Sequence, residues 1–355
     1  MIKSINKLAC YLIVLTPIFL VTGPFLPDLS IVIIDLTFLF IIFKEKKFFI
    51  LNNKYFKFLI ILWIYFSVRS LFAEDIFLSF KSSFFYLRFI FLIWAISFFL
   101  ERNKNLFDKF SKFFMVVICF VILDAILQYI TGTNILGFKI QTIIFSILFF
   151  LLNINLRKII IISFLTILIG IVSLSQFSNK VSHSIYYNFF DPIRTIFFET
   201  NNLNNFDNKK IYMFTQVYDS HYNTAYNMYL DNKLFGVGTK MYRKLCRDEK
   251  YYVNQFSCTT HPHNFYFQQL AENGLIGFLG ILIIFTYTLI SLFKRIYYVN
   301  FKKNNIIEFS STMILIGLFI NFWPIVPSGN FFNNWLSVMI FFPIGFLKYF
   351  LNRKI

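Results

Sequence analysis

The sequence predicts an all-α protein: a polytopic transmembrane helical bundle of about ten spans with one large periplasmic loop. Three observations carry that prediction. Hydrophobic residues make up 57% of the 355 residues and charged residues 14%, against roughly a quarter charged in an ordinary soluble domain. The stretches 8–27 and 274–293 hold no charge over twenty residues, and about twenty apolar residues cross a bilayer as a helix. The alternating pattern of a membrane β-strand is absent.

Hydropathy places the spans at about residues 8–25, 29–43, 56–73, 82–100, 113–130, 140–156, 159–177, 274–293, 309–325 and 335–349. The first begins behind Lys3 and Lys7 in the manner of a secretion signal. Pro24-Phe25-Leu26-Pro27-Asp28 follows in place of a small-residue cleavage site, so it reads as a retained helix. Arg69 closes the third span on its external side. Arg88 falls inside the fourth, in Phe85-Tyr86-Leu87-Arg88-Phe89-Ile90. A cation within a span costs roughly 2.5–3.5 kcal/mol on insertion scales. Arg88 therefore either binds a substrate anion or pairs with Asp35 or Asp124. Asn153 and Asn155 interrupt the sixth span.

Charge sets the orientation. Twenty Lys and Arg lie at the N-terminus, in 44–57, 102–112, 157–158 and 294–303, and at the C-terminus, all on one side of the bundle. The short loops facing the other way carry only Arg69, Lys81 and Lys139. The positive-inside rule puts both termini in the cytoplasm and residues 178–273 outside, at the periplasmic face of an inner membrane. The chain thus divides into N-terminal helices (1–177), a periplasmic loop (178–273) and C-terminal helices (274–355). Most of the net charge of +17 belongs to the cytoplasmic rim. It points to membrane lipid as a partner rather than nucleic acid.

All four histidines lie in the loop, between residues 183 and 263, and imidazole is the side chain best suited to move protons near neutral pH. Tyr and Phe are frequent there, so the loop is expected to fold, with 224–230 as a surface helix and 200–208 as a turn region. The tyrosines read as interfacial anchors or as stacking surfaces for sugars. Gly236-Val237-Gly238 reads as a tight turn. Cys246 and Cys258 are expected to bridge in an oxidising compartment. The competing arrangement is a metal site, because Cys258-x-x-His261-x-His263 has ligand-like spacing. Cys10 and Cys119 fall inside spans as apolar fillers.

His263-Asn264, then Gly274 and Gly277, resembles the signature of the O-antigen ligase/O-antigen polymerase superfamily. So does Asp231-Asn232-Lys233-Leu234-Phe235-Gly236-Val237-Gly238, with Lys233 where the family usually has proline. Thr259-Thr260-His261-Pro262-His263-Asn264 with Gln269-Leu270-Ala271-Glu272 is similar to the same block in polymerase-like members. The close likeness covers about residues 218–293. Two features depart from the pattern. The family's arginine-bearing external segment does not follow Thr131-Gly132-Thr133-Asn134-Ile135-Leu136-Gly137. Ser173-Leu174-Ser175-Gln176-Phe177 stands where a Ser-Gly-Glu-Arg-like motif belongs.

The resemblance implies a glycosyltransferase that needs no cofactor and no metal. It implies an undecaprenyl-diphosphate-linked glycan as donor. The acceptor is lipid A-core for a ligase or a second lipid-linked glycan for a polymerase. His263 is then the candidate general base, with His261 two residues away as the other choice. Asn264 and Glu272 are candidates to orient it or to bind substrate. His221, Arg88, Arg69 and Arg243 are candidate donor contacts, with Arg194 ranked after them. Gly236, Gly238, Gly274 and Gly277 are structural, and His183 is a solvated loop residue. Two other readings stay open: a polysaccharide transporter or flippase, and an inactive shortened homologue.

Overall fold

The computed structural model describes residues 2–131, 216–301, 306–325 and 327–352. The expected spans 140–156 and 159–177, His183, Arg194 and the first part of the long loop lie outside the described residues.

The described helices are α1 (Ile2–Thr22), α2 (Phe25–Lys44), α3 (Lys54–Ser70), α4 (Ile76–Phe84), α5 (Leu87–Arg102), α6 (Leu106–Thr131), α7 (Gln216–Asp231), α8 (Tyr242–Leu245), α9 (Phe265–Phe301), α10 (Ile306–Asn321) and α11 (Asn334–Asn352). Among the described residues, five helical stretches are long and apolar enough to cross a membrane: α1, α2, the α4–α5 run, α9 and α11. The α3 and α10 helices are shorter apolar elements in the same bundle.

Helix α5 forms the centre. Phe89, Ile90 and every residue from Leu92 to Leu100 are buried, so it is apolar on all faces, as a helix enclosed by others must be. It packs against α11 and α2, while α1 packs on α2 and α6. Aromatic rings fill much of the space between them, such as Phe110 on Phe346 at 4.6 Å and Phe66 edge-on to Phe332 at 5.6 Å. Offset and edge contacts of this kind add to the area they bury.

Polar contacts mark the two ends of the bundle. At one, Arg102 pairs with Glu45 at 2.6 Å, Asn6 bonds Asn103 at 2.9 Å, and Asn352 bonds Glu101 at 3.1 Å. At the other, Arg88 pairs with Asp28 at 2.7 Å and Trp335 Nε1 donates to the Leu20 carbonyl at 2.9 Å. This pairing gives Arg88, within the α4–α5 run, an acidic partner. The chain breaks at Phe85 and Tyr86, so Arg88 stands in the first turn of α5 facing the first turn of α2. Its ion-pair partner is Asp28, and the Asp35 carboxylate reaches it by charge alone. Asp35 is 5% exposed on α2 and neither of its carboxylate oxygens has a hydrogen-bond partner.

The second end also carries residues 216–273, which have a small core of their own. Ala225, Met228, Met241, Tyr242, Leu245 and Ala271 pack around the cystine. Helix α9 enters beneath this core and is broken at Gly274, where φ is +62°. The break frees the Ala271 and Glu272 carbonyls and the Leu275 and Ile276 amides. The turn at 233–238 takes up all four. Val237 N donates to Ala271 O at 2.8 Å and Gly238 N to Glu272 O at 2.8 Å. Leu275 N donates to Lys233 O at 2.8 Å and Ile276 N to Leu234 O at 3.5 Å.

The two backbones approach too closely for side chains. A Cβ on Gly274 would meet the Leu234 carbonyl, and one on Gly236 would lie 2.5 Å from Asn273 N. Gly274→Ala should therefore lower the melting temperature of the detergent-purified protein clearly. The left-handed backbone alone costs roughly 1–2 kcal/mol, and the clash can be relieved only by moving backbone. Gly23→Ala has positive φ but nothing within 4 Å of its Cβ, and should cost only the backbone share. Equal melting temperatures for the two variants would refute the account.

Candidate functional site

His261 and His263 lie in the loop before α9, and three elements fix them. Asn264 caps α9: its Oδ1 accepts from Tyr266 N at 2.9 Å and Phe267 N at 3.2 Å, and its Nδ2 donates to Pro324 O at 2.7 Å. The 322–333 segment between α10 and α11 wraps the motif. Ser328 N donates to His263 O at 2.8 Å, Phe265 N donates to Ser328 Oγ at 2.8 Å, and Tyr266 Oη donates to Phe322 O at 2.6 Å. Helix α7 supplies the third side through Tyr218 and His221. The cystine Cys246–Cys258 has a Cα–Cα distance of 5.2 Å and ties α8 to the strand of chain leading into His261.

Three of the four histidines thus converge. The ring of His263 lies 4.2 Å from that of His261, 5.4 Å from His221 and 5.7 Å from Tyr218, centroid to centroid. His263 has φ +55°, a conformation that costs a non-glycine residue of order 1 kcal/mol and turns its side chain toward the other two. Burial lowers the affinity of all three imidazoles for a proton. It acts with the neighbouring His263 on His221, and pushes His261 down to about 4. Thr260 Oγ1 lies 2.9 Å from His261 Nδ1, while His261 Nε2 and His221 Nδ1 are buried without partners. Among the described residues, no group of three or more His, Cys, Asp or Glu is arranged to hold a metal ion.

A set of cations lies beside the imidazoles. Lys240 follows the glycine turn with φ +60°. Its ammonium is held below the usual lysine range by burial first and then by Arg243, with Arg88 and Lys81 acting in the same direction and Glu272 against them. Arg243 also repels a proton from His261. Arg243 and Arg88 each keep a buried Nε without a partner. Like charges so placed, with one buried carboxylate among them, make a region of positive potential that favours an anion.

Some residues named from the sequence stand elsewhere in the design. Arg69 Nε donates to Phe235 O at 2.9 Å and Gly236 O at 3.1 Å, and its Nη2 donates to Gly236 O as well. Its guanidinium holds the glycine turn onto α3, where Tyr65 Oη also donates to Asn273 O at 2.6 Å. Both ends of the Asn264 amide are occupied by backbone. Glu272 is fully buried, accepts from Gln268 Nε2 at 3.0 Å, and keeps Oε1 unpartnered. Gly238 touches Ala73, and Gly277 leaves room for the Asn273 side chain.

Sequence reasoning missed Lys240, Lys81, Asp28 and the 322–333 segment. Gln268 reaches that segment too, donating to Asn330 Oδ1 at 3.1 Å and accepting from Phe331 N at 2.9 Å. The run Pro327-Ser328-Gly329-Asn330 is rich in turn formers, but no local pattern tells that it binds a helix start sixty residues earlier.

The apolar helices and the polar end define a multi-pass membrane protein with an imidazole-lined, cation-rich site at one end of its bundle. The O-antigen ligase family model matches residues 130–282, a stretch that includes the glycine turn, the cystine, the histidine pair and the kink of α9. That match supports assignment to the O-antigen ligase/polymerase superfamily and with it a membrane glycosyltransferase-like role. No curated protein matches the chain.

The cystine is open to a direct chemical check. In denatured, unreduced protein a maleimide should label Cys10 and Cys119, the two free thiols, and leave Cys246 and Cys258 unlabelled until a reductant is added. Labelling of all four without reductant would show that the bridge is absent.

Proposed function

We propose that this protein transfers a glycan from undecaprenyl diphosphate to an acceptor sugar at the periplasmic face of the inner membrane, in the manner of an O-antigen ligase acting on lipid A-core. The observation that carries the proposal is the imidazole pair His261 and His263 at the end of the bundle that also holds Lys240, Arg243, Arg88 and Lys81, with the Arg243 charge reaching His261. The same end holds Arg69 and Lys81, while the opposite end holds Glu45, Lys47 and Arg102.

The chemistry has two requirements. A sugar hydroxyl is a weak nucleophile, and a positioned base removes its proton as it attacks the anomeric carbon. Such a base typically contributes 10²–10⁴-fold. The departing lipid diphosphate carries negative charge that fixed cations stabilise in the transition state. His263 takes the first role, because its imidazole makes no side-chain hydrogen bond among the described residues. His261 is too weak a base at about 4 and buttresses it. Lys240 and Arg243 take the second role. Arg88, held by Asp28, extends the same positive region.

The test is glycan transfer in membranes holding the full chain, an undecaprenyl-diphosphate glycan and lipid A-core. His263→Ala should reduce the rate by roughly 10²-fold or more, with the protein present at wild-type level. Glycan on lipid A-core identifies a ligase; longer lipid-linked glycan identifies a polymerase, the second reading. Full activity in His263→Ala would sink the assignment of the base.

The pH profile follows from the direction of the shift. A base must be neutral to work, and His263 binds its proton less readily than a free histidine. The rate should hold steady from neutral pH down past about 6.5, the ordinary histidine value, and fall only as pH drops through the lower pKa. A rate already halved at or above that ordinary value would contradict the buried, neutral imidazole.

A further inference from the structure

The opposite end of the bundle holds a second polar site that transfer chemistry does not use. A cavity of about 240 Å³ opens there between the segment before α3, the last turns of α5 and the end of α11. Asn52, Asn53, Trp94, Glu101, Lys348 and Asn352 line it, with Phe49 at its wall. Trp94 is 2% exposed, and its indole Nε1–H has no hydrogen-bond partner. A buried indole N–H ordinarily finds an acceptor, and this donor remains free to meet one. The Lys348 ammonium sits over the same ring at 5.8 Å. Glu101 Oε1 accepts from Ser97 Oγ at 3.3 Å and Asn352 Nδ2 at 3.1 Å, so the carboxylate is held at the rim.

The cavity lining therefore brings together an unmet N–H donor, a cation and a carboxylate held by Ser97 and Asn352. An ion that is only negative would meet Glu101 unfavourably. A group with a phosphate and an ammonium two carbons apart satisfies both. The surroundings name its source. Phe49 is 72% exposed and Phe48 51% exposed beside the opening, and α3 leads away with Lys57, then Ile61, Ile64 and Val68, outward on one stripe. Aromatic residues and lysines at a helix end followed by an apolar stripe form a surface that headgroup and acyl chains can share.

We propose that this cavity binds the phosphoethanolamine headgroup of a membrane phospholipid, with the phosphate on Trp94 Nε1 and Lys348 and the ammonium on Glu101. The lipid would fasten the 48–53 segment to α5 and α11.

Native mass spectrometry of the full chain, released from detergent with added phosphatidylethanolamine or phosphatidylglycerol, tests this directly. Wild type should retain phosphatidylethanolamine in preference to phosphatidylglycerol. Trp94→Phe, which keeps the ring and removes the N–H, and Lys348→Met should each reduce retention by about tenfold. Glu101→Gln should erase the preference between the two lipids while keeping binding. Equal retention of both lipids by wild type, or retention unchanged in Trp94→Phe and Lys348→Met, would overturn the proposal. Free phosphoethanolamine competing at the lipid's own concentration would overturn the membrane source and leave a soluble ligand. Melting temperature in lipid-free detergent checks that each variant is folded, and a variant that fails this check is replaced by Lys348→Gln or Trp94→Leu at the same position.

Discussion

Everything at the histidine-bearing end of this molecule depends on four backbone hydrogen bonds exchanged between a turn and a broken helix. A helix interrupted within a packed protein strands amides and carbonyls, and each unmet buried group costs roughly 1–3 kcal/mol. The break at Gly274 is tolerated because the 233–238 turn presents two amides and two carbonyls in matching order. Arg69 and Tyr65 then lock both partners to α3. The break directs residues 265–273 across the end of the bundle, and this direction carries the histidine loop over to α7 and Lys240 next to Glu272.

The electrostatics follow from that packing. Burial makes the three imidazoles poor proton binders, and at His261 the Arg243 charge acts in the same direction. A neutral imidazole beside positive charge is stable in this setting, whereas an imidazolium there would be repelled. At His263 burial alone sets the direction, so its neutral form follows from the packing of the loop.

Local chemistry was legible in the sequence to the extent that it was local. The helical class, the glycine turn, the cysteine pair and the histidine loop all rest on residue types whose physics is short-ranged. Partnerships across the chain were not legible. Arg88 looked like a charge stranded in a span because the break at Phe85 and Tyr86 is made of aromatic residues that signal no turn, and Asp28 lies on another helix. Arg69 looked like a substrate contact because its carbonyl partners lie 166 and 167 residues away. Asn264 carries the cap preference of its type, a role hidden by its place in a functional-looking motif. Lys240 was overlooked because a lone lysine after a glycine turn is unremarkable until Arg243, Arg88 and Lys81 are seen around it.

The seat that the 322–333 segment makes for His263 has a consequence for biogenesis. The motif lies before α9, while the groups that hold it, Pro324, Ser328 and Asn330, are made after α10. During synthesis the histidine loop is made before its clasp exists. The loop therefore takes its final seat only once the 322–333 segment has followed. A nascent chain stalled after α9 would carry the whole matched segment and still lack the groups that hold the histidine loop in place.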